Sequence, residues 1–174
     1  IMTRTSIRAY TADSISKENI ETMLRAAMAA PSAGNKQPWR FVVVENRATL
    51  DSIGANFGSM KMASQAPLGI VVCGDLEATF PEEGRDYWIE DTSAAMENLL
   101  LAAHSIGLGA VWCGIYPMTD RVQAFSEMLS LPENIIPMGV AIIGHPQSAQ
   151  EPKDKWNPEY VHYESWKKSG AKGF

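Results

Sequence analysis

The segment that most constrains the fold of this chain runs from about Ile89 to Gly107. Apolar side chains recur along it at helical spacing, at Met96, Leu99, Leu100, Ala103 and Ile106. Past Ala94 the predicted helix is apolar almost all the way round, and such a helix needs neighbours on every side. Gly107 and Gly109 then end it. The chain must therefore fold around a central, buried helix.

The composition permits such a core. The chain has 174 residues, 45% of them apolar and 20% charged. A soluble domain of that length buries roughly 70% of the surface that its unfolded chain exposes. The net charge of -5 argues against a broad nucleic-acid-binding surface. No apolar run approaches the roughly 20 residues of a membrane-spanning helix, and residues 1–4 carry no hydrophobic signal core. We expect one cytoplasmic domain over residues 1–174 that binds neither nucleic acid nor membrane.

Further helices and strands alternate along the chain. Ser16 is expected to cap a helix whose buried stripe consists of Ile20, Met23, Leu24, Ala27 and Met28, and Pro31 ends that helix. Thr119 is expected to cap another helix, with Val122, Phe125, Met128 and Leu129 on its apolar face. Strands are predicted over 41–44, 69–73, 110–113 and 138–143. This pattern favours an α+β fold of layers, with a mixed central β-sheet flanked by helices.

Cysteine and histidine do not suggest a metal site. Cys73 and Cys113 lie in apolar, strand-like runs without CxxC spacing, so we interpret both as small buried hydrophobic residues. The three histidines are far apart in unrelated contexts, and His104 on the apolar helix is interpreted as a core residue.

The last part of the chain, residues 147–174, reads as a C-terminal extension. After Pro146 the sequence is polar, with aromatic residues scattered through it at Tyr160, Tyr163 and Trp166. Such a segment cannot form a core of its own, so its aromatic side chains need another surface to cover them. That surface belongs either to the same chain or to a partner subunit.

Two short polar stretches carry the candidate chemistry. In the first stretch, Arg4 and Arg8 lie on either side of Ser6. Two guanidinium groups and a hydroxyl can together bind one phosphate group. The same pattern also occurs in a solvated N-terminal segment that binds nothing. The second stretch is the loop from Pro31 to Trp39, which contains Ser32, Asn35 and Gln37. Their hydroxyl and amide groups can form hydrogen bonds with the polar edge of a planar ring. Asn35 after Gly34 is also typical of an ordinary turn.

The strand over 110–113 is followed by Gly114 and Ile115. Because Gly114 lacks a side chain, a flat ligand can approach the main-chain N–H groups there. A glycine that merely ends a strand has the same appearance.

Together these stretches resemble the nitroreductase family of FMN-dependent oxidoreductases. The similarity includes Arg4 to Arg8, Pro31 to Phe41, the helix before Gly109, Gly114-Ile115-Tyr116-Pro117 and the polar tail. The resemblance implies an intertwined homodimer with FMN at the subunit interface and the extension 147–174 crossing to the partner. It also implies the cofactor-binding residues: Arg4, Thr5, Ser6 and Arg8 on the phosphate and ribityl chain, with Lys153 or Lys155; Pro31, Ser32, Ala33, Asn35 and Gln37 from the other subunit; and Cys113, Gly114 and Ile115 near flavin N5. Some larger members have an acidic residue where Gly114 stands, so only the backbone donor carries over.

The activity implied by the resemblance is hydride transfer from NADH or NADPH through flavin N5 to an electron-poor acceptor, a nitroaromatic or a quinone, by a ping-pong mechanism. No side chain is expected to act as nucleophile or as dedicated acid or base, since the cofactor carries the reaction. Two alternatives stay open. One is a flavoenzyme of the same fold with other chemistry, such as reductive dehalogenation or flavin breakdown. The other is a non-catalytic FMN-binding protein that meets a partner through residues 77–88.

Overall fold

The computed structural model describes residues 1–166. Four strands form one sheet: β1 (Trp39–Val44), β2 (Leu68–Asp75), β3 (Gly109–Gly114) and β4 (Ile135–Gly144). Their order across the sheet is β1-β2-β4-β3, and every neighbouring pair is antiparallel. The α+β class is thus confirmed. The parallel pairing that a mixed sheet requires is limited to an isolated bridge between Ser6 and Ala110.

The four α-helices are α1 (Lys17–Met28), α2 (Arg47–Asn56), α3 (Tyr87–Ser105) and α4 (Thr119–Leu129). Ser16 caps α1 as predicted, since its side chain accepts a hydrogen bond from Asn19 N at 3.2 Å. The expected cap of α4 is wrong. Met118 occupies the cap position and makes no side-chain hydrogen bond there, and Thr119 is the first helical residue.

Each face of the sheet carries its own apolar core. On one face, α1 and α3 cover a cluster that includes Met23, Met96, Leu99 and Ile70. On the other face, α2, α4 and the 3-10 segment Gly58–Ser64 cover a cluster that includes Leu50, Met60 and Phe125. The predicted central helix is α3, which packs against both α1 and the sheet.

Both cysteines are buried free thiols, as predicted. Among residues 1–166 no group of three His, Cys, Asp or Glu side chains is placed to hold a metal ion. Within the same range no helix has the length and apolar character to cross a membrane.

The tail leaves the body of the domain at Gln147, whose N–H donates to Ala9 O at 3.1 Å. Beyond it the only regular element within the described range is a 3-10 turn, Pro158–Tyr160. Trp156, Tyr160 and Trp166 are 62%, 80% and 85% exposed, so the body of this chain does not cover them. The last eight residues of the predicted extension, 167–174, lie outside the described residues.

Candidate functional site

The N-terminal segment lies along the outer edge of β3. Ser6 forms the bridge to Ala110, and Ile7 N donates to Ala110 O at 3.1 Å. The Ile7 side chain is buried against Gly109, where an added Cβ would lie 2.7 Å from Ile7 Cβ. The absence of a side chain at Gly109 therefore allows the segment to approach the strand closely, with Ser6 left exposed beside it.

The two arginines of this segment have different neighbours. Arg4 Nε lies 3.5 Å from Glu97 Oε1 on α3, and the Arg4 side chain is 19% exposed. Arg8 is exposed, and its positive charge acts to lower the pKa of Cys113. The Cys113 side chain lies on the face of the sheet opposite α3. One chain by itself therefore places Ser6, Arg4 and Arg8 on the same segment, with the two guanidinium groups in different surroundings.

The end of β3 presents an outward-facing peptide N–H. In an antiparallel ladder, alternate residues direct both backbone groups toward the same neighbour. Ala110 O faces Ile7, away from β4, whereas Ile115 N donates to Met138 O on the inner side at 3.1 Å. Gly114 has the same parity as Ala110, so its N–H and C=O point to the outer edge. An added Cβ at Gly114 would meet nothing within 4 Å, so the face of the sheet above Gly114 is uncovered.

The neighbours of Gly114 can contribute only their backbone. Cys113 is 6% exposed and Ile115 is fully buried, with both side chains in the core on the α2 and α4 face. Burial raises the pKa of the Cys113 thiol, and the charges of Arg8 and Arg121 oppose that shift in part. At neutral pH this thiol is therefore protonated and is not a nucleophile.

The loop over residues 31–37 is held in an unusual conformation. Gly34, Asn35 and Gln37 all have positive φ, at 54°, 54° and 51°. For residues with a side chain this region costs roughly 1–2 kcal/mol each, so other contacts must impose it. Gln37 N donates to Ser32 Oγ at 3.0 Å, and Gln37 Nε2 donates to Asn35 Oδ1 at 3.1 Å.

Two charged side chains outside the loop form hydrogen bonds with its backbone. Asp91, on α3, accepts a hydrogen bond from Ala33 N at 2.8 Å through Oδ1, while its buried Oδ2 has no partner among the described residues. Arg40 donates to Gln37 O at 3.3 Å and to Asp75 Oδ2 at 2.7 Å. Neither residue was predicted from the sequence.

Phe80 covers the loop from the 77–88 segment. An added Cβ at Gly34 would lie 2.6 Å from Phe80 Cζ, and Lys36 Nζ lies 5.0 Å from the centre of the same ring. This segment therefore packs on the loop of its own chain.

Strand order separates the loop from the β3 edge. The loop leads directly into β1, which forms one edge of the sheet, whereas Arg4 to Arg8 and Gly114 lie at β3, the opposite edge. Three interstrand spacings amount to about 14 Å. The predicted site residues therefore form two groups on one chain, one at each edge of the sheet.

The tail begins beside the N-terminal segment. A groove of about 240 Å³ is lined by Arg4, Thr5 and residues 148–150 of the tail, among others. Lys153 and Lys155 follow and are both exposed, on either side of Asp154, whose carboxylate accepts a hydrogen bond from Trp156 N at 2.9 Å. Three residues of extended chain span about 10 Å, so Lys153 is within reach of this groove.

The fold and these edges define an α+β protein in which polar groups suited to a planar anionic ligand lie at opposite sides of one antiparallel sheet. The sequence profile of the nitroreductase family matches residues 1–60 and 54–145. A protein of Archaeoglobus fulgidus, provisionally named NADH dehydrogenase/NAD(P)H nitroreductase, is 45% identical over 170 residues, with 95% of this chain and 96% of that protein aligned. The chain belongs to the nitroreductase family.

Solved structures agree with this assignment. A crystal structure from Bacteroides thetaiotaomicron with the same provisional name is 44% identical, covers 95% of each chain and has a TM-score of 0.89. An FMN-dependent nitroreductase of Clostridium difficile is 28% identical, covers 95% of this chain and 97% of its own, and has a TM-score of 0.86.

Proposed function

We propose that this chain is an FMN-dependent oxidoreductase that takes hydride from NAD(P)H and delivers it to an electron-poor acceptor, a nitroaromatic or a quinone. Family membership supports an oxidoreductase, and the names of its relatives include FMN and NAD(P)H. The observation that carries the proposal is the outer edge of β3, where the Gly114 N–H points outward below an uncovered sheet face and the segment with Arg4 and Arg8 lies on the same strand edge. FMN, when bound, would supply a ring that accepts a hydride and then releases it.

The residues at this edge fit the two ends of such a cofactor. Arg4, Ser6 and Arg8 would bind the phosphate, since guanidinium groups make charge-assisted hydrogen bonds to phosphate oxygens. Thr5 would contact the ribityl chain, and Lys153 or Lys155 would add positive charge from the tail. Gly114 N–H would donate to N5, with the backbone of Cys113 and Ile115 beside it, and the open space over Gly114 would admit a flat ring.

A second copy of the chain would complete the site. The 31–37 loop leads into β1, which lies about 14 Å across the sheet from β3, so we expect it to serve the site of another subunit and not that of its own chain. Pro31, Ser32, Ala33, Asn35 and Gln37 would then reach the ring from the partner. The exposed aromatic side chains of the tail would also gain cover by crossing to that partner, which would form an intertwined homodimer.

The two substrates would use the same space in turn. The nicotinamide donor would bind over the exposed ring, leave after reducing it, and be replaced by the acceptor, so the kinetics would be ping-pong. The binding residues orient the ring and exclude water, and the chemistry needs no side-chain nucleophile. Initial rates of NAD(P)H oxidation with a nitroaromatic or a quinone test this directly. Parallel double-reciprocal lines are expected, and a chain that oxidises neither nucleotide with any acceptor would refute the proposal.

Shared sites have a sharper test, which is complementation between two defective chains. Arg8→Ala would remove the phosphate contact and Asn35→Ala would remove a loop contact. If each site takes its arginines from one chain and its loop from the other, a mixed dimer has one intact site and one doubly defective site. A statistical mixture would then recover about one quarter of the wild-type sites. No recovery on refolding the mixture would mean that clamp and loop come from the same chain.

A further inference from the structure

A third guanidinium group lies at the outer edge of β3. Arg121, in the first turn of α4, donates from Nη1 to Gly114 O at 2.8 Å. Because the N–H and C=O of one strand residue point the same way, Arg121 shares its edge with the free Gly114 N–H. The guanidinium is therefore next to any atom that receives a hydrogen bond from Gly114.

The charge of Arg121 is not neutralised by a direct partner. Arg4, Arg25, Arg40 and Arg47 each form an ion pair with a carboxylate, but within residues 1–166 no carboxylate is in ion-pair contact with Arg121. The side chain is also partly buried, so solvent screens it less than a fully exposed one. Its positive field reaches the end of the strand, where it opposes the upward shift of the Cys113 pKa.

We propose that Arg121 is a positioning and redox-tuning residue: it fixes the Gly114 backbone and places positive charge beside N5, which makes the bound flavin easier to reduce. This inference rests on the proposed function, because it needs FMN at the β3 edge. Hydride transfer adds two electrons and one proton to the ring, which therefore gains one negative charge. A nearby cation favours that product over the oxidised ring.

Two substitutions separate charge from hydrogen bonding. Arg121→Lys keeps the charge and can still reach a carbonyl, whereas Arg121→Gln keeps an amide donor but loses the charge. Arg25→Gln is the matched control, because Arg25 is an exposed arginine on α1 whose ion pair is with Glu21 of the same helix.

The readouts are properties of the bound flavin, measured at saturating FMN. The first is the midpoint potential, by equilibration with a dye of known potential. The second is the dissociation constant of sulfite, which adds to N5 of oxidised flavin and gives an anionic product. For Arg121→Gln we expect a more negative potential and sulfite binding weaker by about tenfold, the effect of one partly screened charge at close range. Arg121→Lys and Arg25→Gln should remain close to wild type in both.

Each result is decisive. A wild-type chain that takes up no FMN overturns the proposed function and this inference together. If wild type binds FMN but Arg121→Gln leaves the potential and the sulfite constant unchanged, the tuning role is wrong and the proposed function stands. A loss of thermal stability in both Arg121 variants with unchanged flavin properties would show that the arginine only ties α4 to β3.

Discussion

Replacing Gly114 by proline removes the N–H that we propose as the donor to flavin N5, and it should leave the sheet intact. That N–H points away from β4, so its loss breaks no ladder hydrogen bond, and proline is tolerated on an edge strand in this position. Gly114 does not have the positive φ that proline cannot adopt. The expected cost is one hydrogen bond to the cofactor, about 0.5–1.5 kcal/mol, or roughly 2- to 12-fold in the FMN dissociation constant.

Two further glycine substitutions serve as controls. Gly114→Ala keeps the N–H and adds a Cβ that meets no protein atom within 4 Å, so it should fold as wild type does and measure the cost of a side chain under the ring separately from the loss of the N–H. Gly139 is the cross-strand partner of Gly114, and a Cβ there would lie 2.5 Å from Trp112 Nε1. Gly139→Ala should therefore lower the free energy of unfolding by about 1–3 kcal/mol, the usual cost of overpacking.

The assay is quenching of FMN fluorescence on titration into apoprotein, together with thermal unfolding of each variant. We expect weaker binding for Gly114→Pro than for Gly114→Ala, with similar melting temperatures for the two variants. If Gly114→Pro binds FMN as tightly as Gly114→Ala, the Gly114 N–H is not a cofactor donor. If Gly114→Pro unfolds instead, the N–H is part of the ladder and the geometry derived for this edge is wrong.

Three other substitutions or treatments give distinct outcomes. Arg8→Ala should weaken FMN binding by about 1.5–3 kcal/mol, the range for hydrogen bonds to a charged group, and Arg25→Ala should leave it unchanged; equal affinities for both variants would contradict the phosphate role. Asp91→Ala should release the 31–37 loop, seen as faster proteolysis within it and weaker FMN binding, and an unchanged digestion pattern would show that the loop holds itself. Burial raises the pKa of Cys73 to about 12 and also raises that of Cys113, so both stay protonated and should resist a thiol reagent at pH 8 until the protein unfolds; rapid native labelling would contradict their burial.

The sequence predicted the elements whose signals are local and strong. Three such signals are the cap at Ser16, the helical repeat from Met96 to Ile106 and the runs of β-branched residues. They predicted α1, α3 and the four strands, and all of these elements form close to the expected positions. The helix α2 was not predicted. Its apolar positions are few, with only Leu50, Ile53 and Gly54 buried, so its periodicity is weak. Asn46, whose side chain accepts from Thr49 N, was the available start signal.

The error at Thr119 has a simple physical origin. Threonine before an apolar helical repeat is a common cap, but the Met118 carbonyl already accepts the first helical hydrogen bond, from Val122 N at 3.0 Å, so Met118 takes the cap position and Thr119 lies within the helix.

The types of residue in the candidate site could be predicted from the sequence, but their arrangement in space could not. The arginine pair and the polar loop were visible as short motifs, because phosphate and flavin recognition need those groups. Their location at opposite edges of the sheet depends on strand order, which no local pattern determines. Asp91 and Arg121 were missed for the same reason, since each acts on a backbone group that only the tertiary fold brings near.

The proposed cofactor and activity are tested most directly by the absorbance spectrum of the purified chain from the near ultraviolet to the visible, before and after anaerobic addition of NADH and then NADPH. We expect a flavin spectrum that bleaches with at least one nucleotide. A flavin that neither nucleotide reduces would contradict the proposed activity, and a colourless chain that also takes up no added FMN would contradict the cofactor site itself.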